Sequence, residues 1–98
     1  MPPAAGTKFA LVVSFGSECC GTDRAASDAL DHITERYAAD ALGARRGRWG
    51  KEGEFDSCFT LAGLKPAERA QFVQQVKADV TGKLVRVREN ATCQNDRR

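Results

Sequence analysis

Phe9-Ala10-Leu11-Val12-Val13-Ser14-Phe15 is an apolar run closed at once by Gly16-Ser17-Glu18-Cys19-Cys20-Gly21-Thr22-Asp23, and how it is read decides the fold. Phe9, Leu11, Val13 and Phe15 alternate with Ala10, Val12 and Ser14, the period of a strand whose successive side chains point to opposite faces. The even positions are small or apolar enough to be partly covered as well, which predicts a central strand. Gly16 to Gly21 breaks the period, and Thr22 or Asp23 can then accept the orphan amide hydrogens of a helix's first turn. Ala26, Leu30, Ile33, Tyr37 and Ala41 recur at spacings of four, three, four and four, so one helix is expected to about Leu42, with Gly43 as a left-handed stop.

Downstream, Arg45 to Trp49 and Phe55 to Leu61 flank Gly50-Lys51-Glu52-Gly53 and read as the two arms of a hairpin. In the second arm Phe55, Ser57, Phe59 and Leu61 share one face, and Asp56, Cys58 and Thr60 the other. Pro66 suits a first helical turn, where its missing amide hydrogen costs nothing, and Ala67 to Thr81 follows as a helix with Phe72, Val73, Val76 and Val80 inward and Gly82 as its stop. Leu84 to Arg88 is the last strand, with Val85 and Val87 on one face. The polar stretch from Asn90 to Arg98 is expected to fray.

The order strand, helix, strand, strand, helix, strand predicts an α+β fold of the ferredoxin-like βαββαβ type, a four-stranded antiparallel sheet with both helices on one face. A right-handed crossover makes the first two strands parallel with the third between them. The Cys19-Cys20 loop and the hairpin tip from Trp49 to Gly53 then share one end of the sheet. The open face would carry Val12, Ser14, Asp56, Cys58, Thr60, Arg86 and Arg88. The domain is expected to span 7–90, with loose ends at 1–6 and 91–98.

Composition narrows the function classes. The chain has 98 residues, one domain's worth, and a net charge of +2, too small and too dispersed to argue for nucleic acid. The first residues lack a basic start and apolar run, and no stretch approaches the ~20 apolar residues of a membrane span, so a cytoplasmic protein is expected. Four cysteines without an export signal are then expected as reduced thiols.

Cys19 and Cys20 form the leading candidate site. A helix amino end favours thiolate over thiol, and soft ions such as Zn(II) or Cu(I) take thiolate ligands. The position resembles that of heavy-metal-associated domains, whose metal-binding cysteines sit in the first strand-to-helix loop. That resemblance implies soft-metal binding at Cys19 and Cys20, although the family spaces its cysteines by two residues and has methionine where Glu18 stands. The plainer reading makes one cysteine a small buried apolar residue and its neighbour a surface thiol. Ser17, Glu18, Thr22, Asp23, Trp49, Lys51 and Glu52 would flank the site, whose small-molecule ligand the sequence leaves unnamed. The alternative function is a homodimeric interaction domain using Val12, Asp56, Cys58, Arg86 and Arg88, with no metal and no catalysis. A thiolate nucleophile at Cys19 or Cys20 ranks third. His32, on the border of the helical stripe, reads as solvated. Arg45, Arg46, Arg48 and Lys51 read as charges that deter pairing at an edge strand.

Overall fold

The computed structural model describes residues 7–17, 23–50 and 53–94. Along them run β1 (Lys8–Phe15), α1 (Arg24–Thr34), α2 (Ala39–Leu42), β2 (Ala44–Arg48), β3 (Phe55–Phe59), α3 (Pro66–Asp79) and β4 (Val85–Thr92). The strands form one sheet in the order β2-β3-β1-β4, every neighbouring pair antiparallel. The register sets Val12 beside Cys58 and Arg88, Phe15 beside Phe55 and Val85, and Gly47 beside Asp56. β1 and β2 are therefore parallel with β3 between them, and their carboxyl ends lie at the same end of the sheet.

The fold is α+β with a four-stranded antiparallel sheet, but its element order is not the plain βαββαβ expected. The first helix does not run to Leu42. Thr34 Oγ1 donates to the Asp31 carbonyl at 3.0 Å, and the amides of Arg36 and Tyr37 reach back only three residues, to Ile33 and Thr34. That tightened turn takes the chain off the α-helical path. Tyr37 thereby meets Phe72 edge-on, with ring centroids 5.2 Å apart. The chain restarts as α2 after an extended Ala38 and stops at Gly43, whose φ of 58° is the left-handed stop anticipated. At the other end of α1 the Asp23 carboxylate accepts the Ala26 amide at 3.0 Å, the cap the sequence predicts.

Leu11, Val13 and Phe15 bury against Ala26, Leu30 and Ile33 of α1 and Phe72, Val76 and Val80 at α3. Phe15 stacks on Phe55 with centroids 4.7 Å apart, and Phe59 meets Phe72 at 5.2 Å. Each such side chain contributes about 1.5–3 kcal/mol by leaving water, so the sheet and both long helices stand on this one cluster.

A second, smaller cluster corrects the strand reading. Phe9 does not join Leu11; it packs with Val12 and Cys58 on the opposite face, against Ala91 and Cys93. The β1–β4 ladder skips the pair Ala10 and Asn90, and Asn90 holds a φ of 53°. Across this irregularity both strands change facing. Ala10 packs with the helix-side core, whereas Ala91 and Cys93 turn to the other face.

β4 does not end at Arg88, and the chain beyond it is not frayed as far as Gln94. After Thr92 it crosses from β4 over β1 toward β3 and β2 as a strap. Cys93 is disulfide-bonded to Cys58, 35 residues away, with their Cα atoms 5.9 Å apart. The expectation of reduced thiols is thus corrected for this pair, because the turn at Asn90 places Cys93 above β3. The strap passes β2 at Gly47, where any Cβ would strike the Gln94 carbonyl. The centre of the face read as open is consequently covered, with Val12, Asp56 and Cys58 each 0% exposed, while Thr60 and Arg86 stay exposed at its margins. No helix among the described residues is long and apolar enough to cross a membrane.

Candidate functional site

Asp56 lies on β3, on the face away from the helices, and is wholly buried. A buried carboxylate is costly unless donors surround it. Here the indole Nε1–H of Trp49 donates to Oδ1 at 2.9 Å, and the Gln94 backbone amide donates to Oδ2, also at 2.9 Å. The Arg88 guanidinium lies 3.6 Å from Oδ2 and donates to Ser14 Oγ at 2.9 Å. The register explains the reach. Ser14 stands beside Asp56 on one side and Arg86 on the other, so its short side chain lets Arg88 extend diagonally over β1.

Beside this cluster opens a cavity of about 420 Å³ at the sheet end where β1 and β2 finish and β4 begins. Trp49, Asp56 and Gln94 line one wall, and Lys83, Arg86 and Arg88 supply its positive charge. Three cations thus face one carboxylate. Asp56 is already engaged by Trp49, Gln94 and Arg88, whereas Lys83 and Arg86 pair with no carboxylate among the described residues. Arg88 Nε and Ser17 Oγ are buried and lack a partner among the described residues.

Of the expected site residues, Cys19, Cys20, Glu18, Thr22, Lys51 and Glu52 lie outside the described residues. The Gly16 amide donates to the Leu84 carbonyl at 2.8 Å, and a Cβ on Gly82 would strike the Asp23 carboxylate. Gly16 and Asp23 thus both lie against the 82–84 turn that rims the cavity. Trp49, Asp56, Arg86 and Arg88 do converge there, while Val12 and Cys58 belong to the apolar cluster under the strap. Cys58 is committed to its disulfide, and no group of three or more metal-ligating side chains occurs among the described residues. His32 is exposed on α1, 3.9 Å from Glu35. Arg46 lies over the Phe55 ring at 4.2 Å, and Arg45 and Arg48 are exposed along the β2 edge.

Gln94 and Lys83 were missed as site residues. Gln94 joins only because the strap folds back, and Lys83 only because the register brings the start of β4 beside the end of β1. No protein-family model, curated protein or solved structure matches the chain.

Proposed function

We propose that the chain is a small binding domain that takes an oxyanion, a phosphate or carboxylate group, in the cavity beside Asp56. The observation that carries this reading is the lining of three cations against one carboxylate that is already engaged. Lys83 and Arg86 offer donors at the rim, and the Arg88 guanidinium adds a third positive charge to the lining. The Trp49 indole supplies a flat wall against which an organic body could rest.

Inorganic phosphate is the test ligand, titrated by calorimetry and by the fluorescence of Trp49, the only tryptophan of the chain. Saturable binding is expected, weakened at least about tenfold in Lys83→Ala/Arg86→Ala, since each charge-assisted hydrogen bond is worth about 1.5–3 kcal/mol. No binding at millimolar phosphate, or equal binding by the double variant, refutes the reading.

A second reading keeps soft-metal binding at Cys19 and Cys20, favoured by the position of Gly16 and Asp23 against the same rim. Zinc uptake under reducing conditions that vanishes in Cys19→Ser/Cys20→Ser would support it, and uptake unchanged in that variant would end it. The homodimer through Val12 and Cys58 loses its apolar premise, because the chain covers both residues itself. For the fold we take the chain as a variant of the ferredoxin-like arrangement with a broken first helix. Its support is the pair of parallel crossovers, β1 to β2 and β3 to β4, each passing one intervening strand.

A further inference from the structure

We propose that the Cys58–Cys93 disulfide is a redox clasp. Oxidised, it holds Cys93 and Gln94 across the sheet and keeps the Gln94 amide on Asp56; reduced, it lets this strap lift and weakens oxyanion binding. The inference rests on the oxyanion reading above and gives that site its regulation.

The strap is lightly held. Beyond the β4 ladder it has, among the described residues, the disulfide, one hydrogen bond from Gln94 to Asp56, the packing of Cys93 on Phe9 and Val12, and the close approach of the Gln94 carbonyl to Gly47. Gln94 itself is exposed. A segment with so few noncovalent ties opens at low cost once its covalent tie is cut. Cys58 is 0% exposed whereas Cys93 is half-buried, so the attack falls on the Cys93 sulfur.

The co-reactant is a dithiol reductant. Its thiolate bonds to Cys93 Sγ, the S–S bond breaks, and Cys58 leaves as a thiolate that takes up a proton. The reductant's second thiolate then displaces Cys93, closing the reductant into a disulfide. Two electrons have passed to the protein, which now holds two thiols.

Gln94 transmits the change because it both ties Asp56 and lines the cavity. When its amide leaves, Oδ2 of Asp56 loses its donor at 2.9 Å, and the nearest replacement is the Arg88 guanidinium, now 3.6 Å away. Arg88 closes on the carboxylate, and the cavity loses the use of one of its three cations.

The test compares the oxidised chain, the same chain after dithiothreitol, and Cys93→Ser, which removes this bond alone and leaves Cys19 and Cys20 in place. Amide hydrogen exchange follows the strap without ligand, and phosphate titration follows the cavity. Reduction is expected to speed exchange at Gln94 at least about tenfold and to raise the phosphate Kd about fivefold or more, with Cys93→Ser matching the reduced chain. Equal protection of Gln94 in both redox states overturns the clasp. Faster exchange with an unchanged Kd overturns its control of the cavity. If neither state binds phosphate, the oxyanion reading and the control fall together, while exchange at Gln94 still decides whether the strap moves. Should Cys93→Ser fail to fold, the reduced wild-type chain carries both measurements.

Discussion

The indole N–H of Trp49 donates to the Asp56 carboxylate across 2.9 Å, tying the end of a hairpin arm to the one wholly buried charged side chain among the described residues. Removing the donor while keeping an aromatic body isolates this bond. Trp49→Phe is expected to lower stability by about 1–2 kcal/mol in urea denaturation. An unchanged midpoint would mean that water replaces the indole without loss.

Asp56→Asn keeps the shape and removes the charge. One carboxylate oxygen becomes an amide NH2 group among donors, so either the Gln94 amide or the Trp49 indole faces a donor and Arg88 loses its counter-charge. A cost of about 2–4 kcal/mol is expected. In a double-mutant cycle with Arg88→Met the second substitution should cost less than it does alone; strictly additive losses would show that the two groups do not interact.

At Gly47 the strap and β2 meet where there is room only for hydrogen. Gly47→Ala is expected to cost about 1–3 kcal/mol in the oxidised protein by displacing Gln94. The cost should largely disappear when Cys93→Ser has already freed the strap. Equal costs in both backgrounds, read by thermal denaturation, would place the strain somewhere other than the crossing.

Asn90 holds the left-handed conformation at which β4 changes facing. Asn90→Ala should destabilise by about 1 kcal/mol, whereas Asn90→Gly should be near neutral. If alanine were tolerated as well as glycine, the positive φ would not be required for the turn of Ala91 and Cys93 onto the second cluster.

Cys93→Ser removes a crosslink closing 35 residues. Chain-entropy arithmetic for a loop of that length gives a loss of about 3–4 kcal/mol under non-reducing conditions. Wild type with dithiothreitol should then match the variant without it; a large remaining gap would show that the serine does more than cut the bond.

Much of this architecture was legible because it rests on local periodicity. The alternation from Leu11 to Phe15, the stripe of Ala26, Leu30 and Ile33, Pro66 at the start of α3 and the facing of Asp56 and Cys58 all follow from side-chain direction. The break after Thr34 was not, since Tyr37 keeps helical spacing and leaves the helix only to meet Phe72. Phe9 was placed on the wrong face because the change of facing at Ala10 and Asn90 depends on one backbone angle. The disulfide was missed for another reason: reduced thiols were expected from the lack of an export signal, and spacing does not reveal which cysteines pair. The cavity draws on the ends of all four strands and on Gln94, so it exists only once the register and the strap are known.

The crosslink also changes what the chain can do under load. β1 lies between β3 and β4, and those two strands carry or adjoin the two ends of the covalent ring from Cys58 to Cys93, so the ring straddles a strand that is not part of it. Pulled at its two ends, the oxidised chain can surrender β1 and both helices before the ring, but the 35-residue span between the cysteines stays closed. The fully stretched length is then shorter by roughly 110–120 Å than in the reduced chain, at ~3.3–3.6 Å per extended residue. A single-molecule extension trace would read the state of this one bond directly as length.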